Sequence, residues 1–261
     1  MRRRGRAEAL SRSRPELYRA GGIVLVVVLW VLLTHFQFVR PTFLPGPAAV
    51  AKAALAQWRS GVLVADVLTT FREIAISLGL SCVVGIPVGV VLGLLRPLKR
   101  AVEPLLGLFL TAPLVAFVSI CIIWFGFGPA SVVALGFAAG VVNVVISTAL
   151  GVEGVDRVLL RVARVFCRSS AARFWKVVLP GAAGTVVAGV KFAAGRVVVG
   201  VVVGEMFGSS QGLGARLVET ANFFDTPSFY ASVFGLAATA VAVTAGVDLL
   251  EARLARFRPA P

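Results

Sequence analysis

Four arginines in one stretch of this chain recur at the spacing of a single helix face. They are Arg157, Arg161, Arg164 and Arg168. Apolar residues follow the same intervals on the opposite face, namely Val155, Leu159, Val162 and Phe166. Because a helix repeats every 3.6 residues, this pattern predicts a helix with two separate stripes. The arginine face is suited to a negatively charged group, and the apolar face to a groove or the edge of a bilayer.

Three further polar residues interrupt the later apolar runs, where ionisable groups are costly and therefore candidates for function. Arg196 and Glu205 are nine residues apart, so they are predicted on opposite faces of one helix, about 13–14 Å apart along its axis. Arg196 either faces a path for anions or contacts another helix, and both alternatives stay open. Glu205 precedes a loop and is expected to order it. Asn143 is expected to hydrogen-bond a neighbouring helix rather than a substrate.

Residues that could form a catalytic or metal centre are scarce. The chain has no GxxxxGK[ST] phosphate-binding loop and no zinc motif, and its one histidine, His35, ends an apolar run. Its three cysteines, Cys82, Cys121 and Cys167, are far apart, without CxxC spacing. We therefore expect a chain that is not an enzyme and that holds no metal and no cofactor.

Composition predicts the class of protein. Hydrophobic residues make up 58% of the chain, charged residues 15%, and the mean hydropathy is +0.93. A soluble domain has about 45–50% apolar and about 25% charged residues. The net charge of +14 comes from basic residues that flank apolar runs, which is not the pattern of a nucleic-acid surface. The composition therefore predicts an integral membrane protein that contacts the lipid bilayer and no nucleic acid.

The apolar runs predict an all-α, polytopic bundle of about six transmembrane helices. The predicted spans are Gly21–Val39, Ile74–Leu95, Val102–Trp124, Ser131–Leu150, Ala182–Phe207 and Ser228–Leu250. With both termini in the cytoplasm, the inner side carries 20 of the 26 Lys and Arg residues and the outer side four. This asymmetry favours that orientation. A signal peptide is the competing interpretation of the first run, but no small-residue cleavage site follows closely.

The domain organisation follows from these spans. Residues 1–20 are predicted to be a basic cytoplasmic tail, 21–250 a single transmembrane domain with a cytoplasmic loop at 151–181, and 251–261 a second cytoplasmic tail. Gly85, Gly89 and Gly93 form a row of small residues that predicts close helix packing. Pro87 and Pro113 lie within spans and are expected to bend them.

The basic loop resembles the EAA loop of permease subunits of bacterial ABC importers, whose pattern is E-A-A-x3-G-x9-I-x-L-P. The corresponding residues here are Arg161-Val162-Ala163, then Cys167, then Val177-Val178-Leu179-Pro180. Four further segments resemble the sulfonate/nitrate/taurine branch of that family. They are FLPGPAAV near residue 43, IPVGVVLGLLRPLKR at 86–100, WFGFGPAS at 124–131 and GVVVGEMFGSSQGLG at 200–214.

The resemblance implies a short cytoplasmic helix-turn-helix that docks onto the ATPase. The implied coupling residues are Arg157, Arg161, Ala163, Arg164, Phe166, Cys167, Arg168, Leu179 and Pro180. Two of them depart from the family, since Arg161 replaces its Glu and Cys167 replaces its Gly. Because Gly eases the turn between the two helices, Cys167 predicts a turn made differently or an altered docking. A loop lying against anionic lipid headgroups is the alternative interpretation of the arginine stripe.

The implied function is the permease subunit of an ATP-driven importer in the bacterial inner membrane. Its implied partners are a second copy of itself, a cytoplasmic ATPase dimer and an extracytoplasmic substrate-binding protein. A small anion such as a sulfonate, nitrate or taurine is the expected solute, and a neutral heterocycle is the alternative. An ion-coupled secondary transporter would want repeated halves and acidic relay residues, whereas the sequence shows no repeat and one deep acid. A non-transporting membrane scaffold is a further alternative.

Overall fold

The structure is a computed structural model that describes residues 21–22, 24–167 and 169–255. Within those ranges every regular element is a helix, which confirms the all-α prediction. The helices are α1 (Val24–His35), α2 (Pro47–Arg59), α3 (Val62–Leu94), α4 (Arg96–Thr111), α5 (Leu114–Phe125), α6 (Pro129–Glu153), α7 (Arg157–Phe166), α8 (Ser170–Arg173), a π-helical turn (Phe174–Val178), α9 (Leu179–Gly208), α10 (Leu213–Asn222) and α11 (Thr226–Ala255).

Four helices are long and apolar enough to cross a membrane: α3, α6, α11 and the continuous helix Ser170–Gly208. The span predicted at Val102–Trp124 is instead a bent pair, because α4 and α5 meet at 98°. Pro113 has no N–H to continue the helix and drives the preceding Ala112 into an extended conformation (φ −62°, ψ 137°). The span predicted at Gly21–Val39 corresponds to the shorter α1.

Helix α6 lies between α3 and α9, and glycines allow both approaches. A Cβ on Gly89 of α3 would lie 2.5 Å from Thr148 Cβ and 2.6 Å from the Val145 carbonyl oxygen. On the other face of α6, a Cβ on Gly140 would overlap Val197 of α9. Small residues therefore set the helix separations, as expected where van der Waals packing rather than the hydrophobic effect drives association.

A small apolar cluster attaches the α7–α8 segment to one end of the bundle. Val152 in the last turn of α6 and Val155 just after it pack with Val178, at the end of the π-helical turn, and with Ala182, near the start of α9. Leu160 of α7 packs against the same cluster. We call this the α7 end of the bundle, and the opposite end, where α10 lies, the α10 end.

Candidate functional site

Helix α7 is closed at its start and exposed along most of its surface. Asp156 caps it, because its Oδ1 accepts a hydrogen bond from the Val158 N–H at 2.7 Å. Arg157 is its first residue. Arg161 and Arg164 are exposed. The fourth arginine of the predicted stripe, Arg168, lies outside the described residues.

The face of α7 that packs is not the predicted apolar stripe. Ala163 is only 4% exposed, whereas Phe166 is 82% and Val165 81% exposed. Leu159 and Val162 are exposed as well. The helix is held by its small residue Ala163 and by Leu160, because these point towards the start of α9. The large apolar side chains are therefore left on the surface beside Arg161 and Arg164.

We call this exposed area the α7 surface. It consists of Val158, Leu159, Arg161, Val162, Arg164, Val165 and Phe166. The indole of Trp175, in the π-helical turn, is also 66% exposed. A surface of large apolar groups with basic neighbours is suited to a protein partner.

The turn after α7 does not need a glycine. Cys167 has φ −99° and ψ 121°, an extended conformation that any residue adopts. The chain restarts its helix at Ser169, whose Oγ accepts a hydrogen bond from the Ala172 N–H at 3.1 Å. The replacement of the family's Gly by Cys167 therefore carries no backbone strain at this position.

Leu179 and Pro180 lie where the π-helical turn gives way to α9. Proline inside a helix lacks its own N–H and clashes with the carbonyl four residues earlier, here that of Lys176. A π-helical turn at Phe174–Val178 widens the helix at that place. The helix from Ser170 to Gly208 can therefore continue past Pro180.

Arg196 lies in the middle of α9 with an exposed side chain. It lines a cavity of about 20 Å³ together with Phe109 and Phe117, whose rings stack at 5.7 Å. One water needs roughly 10–15 Å³, so this cavity is too small for an organic solute. None of the ion pairs found in the described part of the chain involves Arg196.

Asn143 does not bridge two helices in this structure. Its side chain is buried (7% exposed), and its Nδ2 donates a hydrogen bond to the Ala139 carbonyl one turn earlier in α6, at 3.1 Å. The interhelical bond expected from the sequence is therefore replaced by a bond within the helix.

Glu205, near the end of α9, is fully buried against the start of α10. Its Oε2 accepts a hydrogen bond from the Gly214 N–H at 2.7 Å, and its Oε1 accepts one from Thr70 Oγ1 at 2.6 Å. Thr70 in turn accepts a hydrogen bond from the Leu213 N–H at 2.9 Å. The carboxylate therefore satisfies N–H groups that a helix start leaves unpaired, where the helix dipole favours negative charge.

Three residues of α3 that the sequence analysis did not single out complete this arrangement. Asp66, Thr70 and Glu73 recur at intervals of four and three residues, so they share one face of α3. Asp66 Oδ2 accepts a hydrogen bond from Arg216 Nε of α10 at 2.9 Å. The helical spacing of these three polar residues is the feature of the sequence that could have predicted their shared face. We call Asp66, Thr70, Glu73 and Glu205 the acidic cluster.

The prediction of one deep acid is wrong, because Glu73 is a second one. The span predicted from the sequence starts at Ile74, one residue after Glu73. Helix α3 starts at Val62, so Glu73 lies inside the helix and is only 3% exposed.

Comparison with known proteins decides the family. The profile of the family described as "Binding-protein-dependent transport system inner membrane component" matches residues 85–256, which is more than half of the chain. This chain belongs to that family. It is a transmembrane permease subunit of an ABC importer.

Curated relatives agree with the permease assignment and with the sulfonate and taurine branch. The permease is 27% identical over 247 residues to the taurine transport system permease protein of Escherichia coli (strain K12), covering 93% of this chain and 90% of the relative. It is 28% identical over 258 residues to a putative aliphatic sulfonates transport permease protein of Bacillus subtilis (strain 168), covering 97% and 93%.

A solved structure shows the same fold. The permease matches a chain of the MetNI methionine ABC transporter in an inward-facing conformation, with a TM-score of 0.67 and 16% sequence identity. The match covers 75% of this permease and 97% of that chain.

The permease also has a cleft at the α10 end, between α2, α10 and the start of α11. Its volume is about 540 Å³, and its polar lining includes Gln57, Arg216, Glu219 and Asp225. No group of three or more His, Cys, Asp or Glu side chains in the described ranges is arranged to hold a metal ion.

Proposed function

We propose that this permease imports a small anion, of the sulfonate, nitrate or taurine kind, by alternating access. The names of the two curated relatives, taurine and aliphatic sulfonates, support this substrate class. Arg196 supports it as well, because an unpaired cation in the middle of a candidate span favours a negatively charged solute. Asn143 and Glu205 are further candidates for residues of the translocation path.

The α7 surface is the docking site for a cytoplasmic ATPase. The observation that carries this assignment is the exposure of Val165 and Phe166 next to Arg161 and Arg164 on a helix whose other face is packed. A loop that lies against lipid headgroups is the alternative interpretation of this helix. Helix α7 projects beyond the ends of α6 and α9, however, and its surface offers both apolar and charged contacts to one protein partner. ATP hydrolysis is supplied by that partner, since this chain has no phosphate-binding loop of its own.

Force from the ATPase reaches the spans through the apolar cluster at the α7 end. Leu160 contacts the cluster formed by Val152, Val155, Val178 and Ala182, which joins α6 to α9. A displacement of α7 is therefore transmitted to two of the four long helices without a flexible linker. The EAA-like residues Leu179 and Pro180 lie within this connection.

The complex is a homodimer with its path at the two-fold axis, with two ATPase copies on the cytoplasmic side. Helix α9 supports this arrangement, because the large apolar side chains of Phe192, Val199 and Phe207 are each more than half exposed on it. The cleft of about 540 Å³ at the α10 end is the docking site for the extracytoplasmic binding protein. Both termini are then cytoplasmic, with 1–20 and 251–261 as tails of the single domain 21–250.

The coupling assignment is tested by reversing charge on the α7 surface. Arg161→Glu is expected to leave the permease in the membrane, to weaken co-purification of the ATPase and to lower uptake by about tenfold, which corresponds to about 1.4 kcal/mol of lost coupling. Reversal of the exposed Arg100 of α4, which is on the predicted cytoplasmic side but outside the α7 surface, is the matched control and should change neither. The measurements are a gentle-detergent pull-down with mass spectrometry and ATP-dependent uptake in vesicles.

Each alternative function predicts a different outcome of that experiment. Normal ATPase recovery and uptake in Arg161→Glu would contradict docking at this surface. Uptake driven by an ion gradient without ATP would identify a secondary transporter. Partner binding without any uptake would identify a scaffold.

A further inference from the structure

In the described part of the chain, Glu73 is a buried acid whose two carboxyl oxygens both lack a hydrogen-bond partner. The residue is 3% exposed. A buried carboxylate without a donor is costly, so a group of this kind is expected to be paired, neutral or bound to an ion.

The neighbour of Glu73 is another buried acid, Glu205. Both oxygens of Glu205 already accept hydrogen bonds, one from Thr70 and one from the Gly214 N–H. Ionised carboxylates are acceptors only, so two of them side by side repel each other and form no hydrogen bond. If Glu73 carries a proton, its O–H donates to the Glu205 carboxylate and both groups are satisfied.

None of the charged side chains described around Glu73 and Glu205 forms an ion pair that would stabilise an ionised Glu73 carboxylate. On α3, Arg72 is exposed and makes no ion pair with Glu73 in the described ranges, while Asp66 adds negative charge. On α10, Arg216 is bound by Asp66 and Glu219.

Helices α6 and α11 carry their charged residues towards the end of the bundle opposite Glu73 and Glu205. Glu153 is the one charged residue of α6 and is its last residue. The described charged side chains of α11 are Asp248 and Glu251, both towards the end opposite its start at Thr226.

We propose that Glu73 and Glu205 bind one proton between them, with Glu73 as the neutral acid that donates to the Glu205 carboxylate. This shared proton connects α3 to α9, and Glu205 connects both to the start of α10. Gly212 and Gly214 fit this arrangement, because a Cβ at either position would overlap the Glu205 side chain. The proton therefore helps hold α10 over the ends of α3 and α9.

Infrared difference spectroscopy on the purified full-length permease tests the proton directly. The difference between the wild type and Glu73→Gln should contain the carbonyl band of a protonated carboxylic acid, and that band should shift in D₂O. A spectrum that instead shows the loss of a carboxylate band would overturn the proposal. This measurement does not depend on transport, so it stands whether or not the proposed substrate class is right.

The thermal stabilities of two Glu73 variants show whether Glu73 acts as a hydrogen-bond donor or only fills buried space. Gln keeps a neutral donor of the same shape, so Glu73→Gln should retain the thermal midpoint of the wild type. Leu removes the donor, so Glu73→Leu should lower the midpoint by about 4 °C or more. Glu103→Gln, on the exposed surface of α4 and outside the acidic cluster, is the control and should have no effect.

The opposite ranking would overturn the proposal. If Glu73→Leu is as stable as the wild type, no hydrogen bond to Glu205 is needed. If Glu73→Gln is strongly destabilised and the wild-type midpoint rises with Na⁺ concentration, the pair is doubly ionised around a metal cation.

Discussion

Arg196 is the side chain on which the proposed substrate class depends most directly. It lies in the middle of a candidate span, and the cavity beside it holds about 20 Å³. This cavity, which Phe109 and Phe117 also line, is too small for an organic solute.

Removing the charge of Arg196 tests whether the solute is an anion. Arg196→Gln is expected to lower uptake of a sulfonate by about tenfold or more, because loss of one charged hydrogen-bond donor costs about 1.5–3 kcal/mol. Arg196→Lys keeps the charge and should retain most of the uptake. Radiolabelled uptake into vesicles containing ATP measures both. Equal uptake by the Gln and wild-type proteins would favour a neutral solute, such as a heterocycle.

Cys167 departs from the family pattern without a cost in backbone strain, whereas Ala163 keeps it. The family has glycine at the position of Cys167, where a turn between two helices often needs positive φ. The observed φ of −99° removes that requirement. Ala163 keeps the family residue because it packs with 4% exposure, where a larger side chain would push α7 away.

At the scale of helices, the glycine row of α3 determines how closely α3 approaches α6. A methyl group at Gly89 meets Thr148 and the backbone oxygen of Val145, and a backbone atom cannot move aside as a flexible side chain can. Gly79 lies on the same helix, yet its Cβ would meet nothing within 4 Å. The two positions therefore form a matched pair.

Gly89→Ala is expected to destabilise the permease by about 1–3 kcal/mol, the typical cost of overpacking. Gly79→Ala should be neutral or slightly stabilising, because Ala is the better helix former by about 1 kcal/mol. Thermal denaturation of both variants in the same detergent measures the difference. Equal midpoints would show that α3 and α6 are not packed through Gly89.

In the described ranges, the bent pair α4–α5 and the π-helical turn each occur next to a proline. Pro113 ends the first helix of the pair and reorients the chain by 98°. Pro180 leaves its helix continuous, because the widened turn before it absorbs the missing hydrogen bond. Pro87 lies inside α3, which continues as an α-helix from Val62 to Leu94. A proline in a sequence therefore does not by itself predict whether a helix breaks, widens or continues.

For the whole molecule, the distribution of Lys and Arg predicts that the α7 end faces the cytoplasm. The segments on that side include 96–100 and 151–181, which together carry nine basic residues. Ser60 at the α10 end and Ser170 at the α7 end are both exposed, so a cysteine at either position can report its side of the membrane.

Single cysteines at these two positions test the orientation in a background where Cys82, Cys121 and Cys167 are replaced. In cells with an opened outer envelope, an impermeant maleimide is expected to label the cysteine at position 60. It should label the cysteine at position 170 only after the membrane is permeabilised. The reverse labelling would invert the topology and place the α7 surface outside the cell, away from any ATPase.

The sequence by itself determined the membrane class, the all-helical architecture and the family. Hydropathy is a local property, and the Leu179-Pro180 pattern with its supporting segments is readable residue by residue. Positive charge near the ends of apolar runs likewise predicts an orientation without any contact being known.

Only the tertiary structure decided which faces and which distant residues meet. Helical periodicity described two stripes on α7 but not that Ala163 and Leu160 would be the packed residues, because that depends on where α6 and α9 end. The acidic cluster was hidden for the same reason. Thr70 and Glu205 are 135 residues apart in the chain, and their contact exists only because glycines let α3, α6 and α9 pack closely enough to bury both acids at the start of α10.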